Sequence, residues 1–96
     1  MNKLSISEAA NKHVTIDFND YDNPKWSEAE KILEVELSFD RIGNQVAGID
    51  EGIFPSFIKD DIKIDAGWDN WSGCYLLSTS KQGDELLKQL AVRLSK

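Results

Sequence analysis

Three short segments of this chain alternate between apolar and polar residues, which is the pattern of a strand buried on one face only. They are residues 14–18, 33–39 and 61–66. Residues 74–78 are more uniformly apolar and indicate a central strand, and residues 45–49 can form a fifth. The connections between these segments are short. Short connections favour antiparallel pairing, because a parallel crossover needs a dozen or more residues.

The end of the chain has a helical period instead. Its apolar residues recur three and four positions apart, at Leu86, Leu87, Leu90, Ala91 and Leu94. Thr79 and Gln82 have the spacing of a capping box at the helix start. Asp84 in the first turn and Arg93 near the end suit the helix dipole. Gly83 is a weak point near the start, costing about 1 kcal/mol relative to Ala.

These patterns predict an α+β fold in a single domain, residues 1–96. We expect a four- to five-stranded, mostly antiparallel sheet with the C-terminal helix packed on one face. A short helix is expected over residues 6–12. Residues 50–58 are expected to form an apolar loop that closes over the core as a helical turn or lid. Residues 67–73 are expected to be a tight connection.

The charge is strongly acidic and unevenly spread. Seventeen acidic residues against eleven basic ones give a net charge of −6, and residues 17–69 carry fourteen acids and five bases, a net −9. A field of this sign repels nucleic acid phosphates. We therefore expect no binding to nucleic acid and consider a basic protein partner, although acidity that only keeps the protein in solution explains the charge equally well.

The rarer residues exclude several classes of protein. The chain has one cysteine, Cys74, and one histidine, so neither an internal disulfide nor a multi-cysteine zinc site can form. No apolar run reaches the length of a membrane span, and the N-terminus lacks the apolar stretch of a signal peptide. We expect a cytoplasmic protein without a cofactor, a metal or a membrane association.

Two acidic side chains stand two residues apart in the predicted strand over 33–39. Glu34 and Glu36 would share one face, about 7 Å apart. A pair of carboxylates at this spacing suits a glycosidase only if it lies in a cleft. The solvated side of an open sheet is the more common setting. This face is our second choice for a partner-binding surface.

Other candidate chemistry is weak. His13 and Cys74 could form a Cys-His nucleophile, but Cys74 lies in a strand pattern where a thiol is buried and inert, and His13 is expected in an exposed turn. Counted from Asp17, the chain matches a calcium loop at Asn19 and Glu28 but not at the central positions. A solvated turn is the default interpretation, and we expect no catalytic residue.

The most informative segment is an aromatic and acidic one. Trp68, Asp69 and Trp71 lie in one short stretch, and Asp61 and Asp65 precede them. Tryptophan dominates binding hot spots because a rigid ring buries a large area at little entropic cost. The adjacent carboxylates can pair with lysine and arginine. We expect this segment to bind a basic protein partner, while at least one tryptophan ring caps the core.

In these features the chain resembles the small bacterial immunity proteins that neutralise toxins, including those of contact-dependent inhibition systems. The resemblance is carried by the acidic residues between Asp17 and Asp69, by residues 68–77 and by the leucine-rich helix that follows. It implies a cognate toxin, often a cationic nuclease, whose active site is blocked by carboxylates in place of nucleic acid phosphates. It also implies that the protein is not an enzyme.

Other functions use the same features. A phage-type inhibitor or nucleic acid mimic that acts on a host protein would present the same acidic surface. A small structural or accessory subunit would need acidity only for solubility. A metal-dependent or hydrolytic enzyme would need a cleft that the sequence does not reveal.

Overall fold

The computed structural model of this chain describes residues 4–9, 11–19, 24–69 and 73–95. Within them, one antiparallel sheet has seven strands: β1 (Ser5–Glu8), β2 (Val14–Asp17), β3 (Asp40–Ile42), β4 (Val46–Ala47), β5 (Glu51–Lys59), β6 (Ile62–Asp69) and β7 (Gly73–Ser78). The order across the sheet is β1-β2-β7-β6-β5-β3, and β4 also pairs with β5. The helices are α1 (Pro24–Lys31) and α2 (Lys81–Leu94), and a π-helical turn, Ile32–Glu36, follows α1.

The predicted architecture is confirmed at the level of its layers. The chain is α+β, every strand pair is antiparallel, and the C-terminal helix packs on β2, β6 and β7. The predicted strands over 14–18, 61–66 and 74–78 correspond to β2, β6 and β7. The predicted number of four to five strands is too low, because β1, β3 and β5 occupy segments expected to be a helix, a turn and a loop.

The prediction of a strand over residues 33–39 is wrong, because the chain continues from α1 into the π-helical turn. The backbone N–H of Leu37 donates to the carbonyl of Ile32 at 2.9 Å, five residues back. In this geometry Leu33 and Leu37 both turn towards the core, whereas Val35 between them is 68% exposed. Positions four apart share a face in both a strand and a helix, so the alternation alone did not distinguish the two.

The expected lid over residues 50–58 is the long strand β5 instead. Pro55 cannot donate to a neighbouring strand, and it sits where the pairing with β6 shifts register. Phe54 and Phe57, three residues apart, lie opposite β6 residues only two apart, so both rings face the core. The Pro55 carbonyl accepts hydrogen bonds from Arg41 Nε at 3.0 Å and Nη2 at 2.8 Å. The Arg41 guanidinium lies 4.0 Å from the centre of the Phe57 ring. These contacts make an apolar, proline-containing strand stable.

The expected short helix over residues 6–12 is also wrong. Residues 5–8 form the edge strand β1, in which Ile6 lies opposite Ile16 of β2. The chain then turns, and the backbone N–H of Ala9 donates to the carbonyl of His13 at 2.8 Å. Pairing with a neighbouring strand overrides the weak helical preference of this segment.

Helix α2 begins one residue later than predicted. Its N-cap is Ser80 rather than Thr79, and the Ser80 hydroxyl accepts a hydrogen bond from the Gly83 N–H at 3.1 Å. A Cβ atom on Gly83 would lie 2.6 Å from Ser78 Oγ. The glycine therefore allows the first turn of α2 to approach β7 closely, and it is required by packing rather than being only a weak point.

Asp84 in this first turn ties α2 to the start of β2. Its carboxylate accepts the Val14 N–H at 2.9 Å and lies 3.0 Å from Nδ1 of His13. The hydrogen bond with His13, followed by that from Val14, lowers the pKa of Asp84 to about 2 from its ordinary value of 3.8. The stabilising effect of this carboxylate is therefore present above pH 3.8 and is lost as the pH falls towards 2.

The core lies between the sheet and the helical layer. Helix α2 contributes Leu87, Leu90, Ala91 and Leu94, and Leu86 packs against them partly buried. The remaining buried apolar residues are Ile16, Phe18, Trp26, Ala29, Ile32, Leu33, Phe39, Phe57, Ile64, Ala66, Cys74 and Leu76. The leucine face predicted from helical spacing is therefore the core face of α2.

We predict that Leu90→Ala lowers the free energy of unfolding by about 2–5 kcal/mol, because Leu90 is only 4% exposed and its loss leaves a cavity. Val92→Ala on the same helix is the matched control, since Val92 is 62% exposed and should change stability by less than about 0.5 kcal/mol. Urea unfolding measures both. A loss below about 1 kcal/mol for Leu90→Ala would contradict the packing described here.

Candidate functional site

The two faces of the sheet are covered differently. Helix α2 packs on β2, β6 and β7, and Trp26 of α1 packs edge-on against Phe18 and beside Phe54. No described element packs on the opposite face. Its outward side chains, read from the strand pairing, are Ser5, Ser7, Thr15, Asp17, Asp40, Ile42, Val46, Glu51, Ile53, Ser56, Ile58, Lys63, Asp65, Asp69, Tyr75 and Leu77. We call this set the outer face. None of these side chains is buried.

Strand β6 supplies the acidic centre of the outer face. Its alternation turns Asp65 and Asp69 outwards, on either side of Gly67. Asp65 accepts a hydrogen bond from the Ser56 hydroxyl at 2.9 Å, and Lys63 lies 3.8 Å away. The two aspartates predicted from the sequence therefore share the exposed side of the sheet.

Trp68 lies on the other side of the same strand. It opposes Gly52 of β5, and a Cβ atom on Gly52 would lie 2.2 Å from Nε1 of the indole. The ring packs, partly buried, against the hydrophobic core. The expectation that a tryptophan caps the core is confirmed for Trp68. The structure does not bring this ring together with Asp65 and Asp69.

Tyr75 takes the aromatic position on the outer face. It opposes Gly67, and a Cβ atom there would lie 2.6 Å from the Tyr75 hydroxyl. The phenol therefore lies across the glycine, in the space that any larger residue would occupy. Sequence reasoning missed Tyr75 because it lies in an apolar strand. The one signal in the sequence was the polar hydroxyl of Tyr75 among apolar neighbours.

Several carboxylates lie close enough to Tyr75 for their charges to affect its hydroxyl group. Burial has the largest effect and raises the pKa of Tyr75. Negative charges raise this pKa further; in order of decreasing effect they are Asp69, Glu51, Asp65 and Asp17. Burial and the charge of Asp69 also raise the pKa of Asp17. Acidic groups contributed by β2, β5 and β6 are thus close enough to repel one another. Folding therefore places Asp17 where its charged form is disfavoured.

One end of the outer face is apolar. Val46 of β4 lies opposite Ile53 of β5, and Ile42 of β3 lies nearby opposite Ser56. Each of the three apolar side chains is more than half exposed. Between β4, β5 and Tyr75 is a cavity of about 260 Å³, which we call the hairpin cavity; its lining residues are Val46, Ala47, Gly48, Glu51, Gly52, Ile53 and Tyr75.

Two more of the predicted site residues lie away from this centre. Asp61 is exposed in the turn between β5 and β6. It is eight residues from Asp69, which is about 26 Å along a strand. Trp71 lies outside the described residues, as do residues 20–23 of the acidic turn.

Glu34 and Glu36 belong to the helical layer, not to a strand. Glu34 lies 3.7 Å from Nη1 of Arg41, and Glu36 pairs with Arg93 of α2. The predicted pair on one strand face therefore does not form. In a helical segment, residues two apart point in different directions, so the two carboxylates reach different partners. They lie on the opposite side of the molecule from Asp65 and Asp69.

The structure separates His13 from Cys74. Cys74 is buried at the start of β7, whereas the pairing of Thr15 with Leu77 places His13 towards the other end of that strand. His13 is partly buried beside Asp84 rather than in an open turn. Among the described residues, no group of three or more histidine, cysteine, aspartate or glutamate side chains is arranged to hold a metal ion.

Comparisons of the chain with protein-family models, with curated proteins and with solved structures find no match. In the part of the chain that the structure describes, neither helix is long and apolar enough to cross a lipid bilayer.

We predict that Asp17→Asn stabilises the protein at pH 7. The raised pKa means that the unfolded chain ionises this group more readily than the folded one, so stability falls as the pH rises above 3.8. Asparagine removes that penalty. Urea unfolding at pH 7 should show a higher midpoint for the variant, and the difference should shrink below pH 3.8.

Asp40→Asn is the matched control, because Asp40 is exposed at the β3 end of the same face. Its effect should stay within about 0.5 kcal/mol. A lower midpoint for Asp17→Asn at pH 7 would contradict the unfavourable burial and repulsion of this charge.

Proposed function

We propose that this chain is an inhibitor of the immunity type, which binds a basic toxin protein through the outer face and neutralises it. The observation that carries the proposal is one uncovered sheet face that combines clustered carboxylates, exposed aliphatic side chains and a tyrosine. The negative charge of this face suggests a basic protein as the partner. The resemblance to immunity proteins suggests that this partner is a toxin. A cytoplasmic location is part of the proposal.

The charge distribution supports the outer face over the helical layer. The outer face carries five carboxylates and one lysine: Asp17, Asp40, Glu51, Asp65, Asp69 and Lys63. The helices and the π-helical turn carry six acids and five bases, which nearly cancel. Of these two described surfaces, the outer face has the large excess of one sign, and such a field speeds the encounter with an oppositely charged partner.

The apolar residues support a protein as the partner. Exposed aliphatic side chains contribute little to the stability of the free chain, and contiguous ones mark binding surfaces. Val46 and Ile53 line one cavity together with Tyr75, and Ile42 lies on β3 along the same edge of β5. Tyrosine is among the residues that most often dominate binding energy. An apolar patch beside carboxylates fits a partner surface with its own apolar residues among lysine and arginine.

Inhibition needs no catalytic group on this chain. The carboxylates of the outer face would occupy positions that phosphates take in the active site of a cationic nuclease. Their mutual repulsion in the free protein would be relieved by the partner's positive charges. Charge repulsion that lowers the stability of the free protein would then favour binding of the partner. Such a trade-off between stability and function is common at functional sites.

The test compares two variants with the same change in charge. The first removes four charges from the outer face: Asp17→Asn, Glu51→Gln, Asp65→Asn and Asp69→Asn. The second removes four from the helical layer: Glu28→Gln, Glu34→Gln, Glu36→Gln and Glu85→Gln. The wild-type chain captures its partner from the source cell, and the rate constants of the purified partner are then measured with each variant.

We predict that the outer-face variant associates about tenfold or more slowly at low salt, because electrostatic steering is lost. The helical-layer variant should stay within about twofold, since exposed charges outside an interface contribute little. The partner should be basic, should arrest growth when expressed alone, and should be tolerated when the wild-type chain is expressed with it.

Two results would contradict the proposal. Slower association of the helical-layer variant alone would place the interface at Glu34 and Glu36. A partner that does not harm the cell would favour a host-protein inhibitor or an accessory subunit.

A further inference from the structure

The hairpin cavity has the chemistry of a receptor for one long, cationic side chain. Its walls are apolar at Val46 and Ile53, an aromatic ring closes one side at Tyr75, and the single charged residue in its lining is Glu51. Its volume is about 260 Å³. Binding energy at protein interfaces concentrates in a few pockets that hold an aromatic or arginine side chain.

We infer that the hairpin cavity binds an arginine side chain of the protein partner, with the aliphatic stem on Val46 and Ile53 and the guanidinium between Tyr75 and Glu51. This inference rests on the proposed function and names the group that the partner contributes. It identifies one anchor within the outer face, rather than a surface of diffuse charge.

The apolar walls suit the stem of arginine. Its three methylene groups can cover apolar surface while the charged end remains at a polar group. Val46 and Ile53 form a directly opposed pair on β4 and β5, and both are more than half exposed. A stem placed on them buries aliphatic area that the free chain leaves in water.

The head group is fixed by the ring and the carboxylate. A guanidinium is planar and weakly hydrated, so it stacks on an aromatic face better than the compact ammonium of lysine. Glu51 makes no ion pair with a described lysine or arginine. It lies directly opposite Asp69 in the pairing of β5 with β6. Like charges in that arrangement are destabilising, and a cation held beside them offsets the repulsion.

Three other cavities of the described chain lack this combination. The one beside Trp26 and Phe54 already contains the guanidinium of Arg41. The one between the π-helical turn and α2 contains Arg93. The one between β1 and α2 balances Glu8 and Asp84 against Lys12 and Lys88. Each of these three cavities is lined by a lysine or arginine of the chain itself. The hairpin cavity is lined by a carboxylate and by no lysine or arginine.

The test uses N-acetyl-arginine methylamide as the probe, added to the isotope-labelled full chain and followed through backbone amide shifts in NMR spectra. N-acetyl-citrulline methylamide is the matched probe, because it has nearly the same shape without the charge. Glu51→Gln and Val46→Ser change the cavity at exposed positions. Asp40→Asn removes a carboxylate of the outer face that does not line the cavity, since Asp40 lies opposite Ile58, and is the control.

We expect weak, saturable binding of the arginine probe, with the largest shifts at Gly52, Ile53 and Tyr75. Glu51→Gln should weaken it about three- to fivefold through loss of the charge, and Val46→Ser about twofold. Asp40→Asn should leave it unchanged, and the citrulline probe should bind much more weakly. N-acetyl-lysine methylamide, which has the charge but not the planar head group, should bind with an affinity between those of the arginine and citrulline probes.

The inference is overturned if no saturable shift occurs up to the solubility limit of the probe. It is also overturned if citrulline binds equally well, or if Glu51→Gln and Asp40→Asn have the same effect. None of these results touches the comparison of the outer-face and helical-layer variants, so the proposed function could stand without the arginine anchor. If the arginine probe binds in the cavity but the outer-face variant binds its protein partner normally, the proposed function fails instead.

Discussion

The rest of this structure depends on the alternation of side chains along β6 and on two glycines that each lie opposite an aromatic residue of a neighbouring strand. Gly67 of β6 faces Tyr75 of β7, and Gly52 of β5 faces Trp68 of β6. In each pair the ring occupies the space of the missing side chain. Because adjacent strand residues point to opposite faces, one ring joins the core and the other lies on the exposed surface. The same alternation places Asp65 and Asp69 beside the exposed ring.

This arrangement makes the outer face costly to fold and suited to binding. Asp17, Glu51 and Asp69 come from three strands, and their charges meet around Tyr75. Burial, and after it the charge of Asp69, raises the pKa of Asp17, so the charged form of this group is disfavoured in the free chain. In the helical layer, Glu36 pairs with Arg93 and Asp84 pairs with His13. The excess of acidic over basic side chains on the outer face, against a near balance in the helices and the π-helical turn, separates the proposed interface from the helical layer.

The sequence was sufficient to predict the two layers of the fold and those helices and strands whose apolar pattern fits only one kind of secondary structure. Helix α2 and strands β2 and β6 follow from the spacing of their apolar residues, and β7 follows from its uniformly apolar run. The segment over 33–39 was misassigned because Leu33 and Leu37, four apart, satisfy both periods. Strand β5 was missed because Pro55 is normally a strand breaker, and its bulge is stabilised by Arg41, fourteen residues away. Such compensation is tertiary and cannot be read from local pattern.

The candidate site was predicted in part for the same reason. Asp65 and Asp69 could be selected from their neighbourhood in the sequence, but their neighbour Trp68 turns to the core. Tyr75 and Glu51 join them only through strand register, which composition does not specify. A segment that is contiguous in sequence is therefore divided between two faces, and the site is assembled from strands that are distant along the chain.

The most direct test of this account is to observe which side of the sheet a bound partner touches. In an NMR cross-saturation measurement on the complex, saturation passes from the partner to the nearest methyl groups of this chain. The account predicts strong transfer to Val46 and Ile53 on the outer face. It predicts little to Val35 and Val92, which are equally exposed on the helical layer. Transfer to Val35 and Val92 without transfer to Val46 and Ile53 would contradict it.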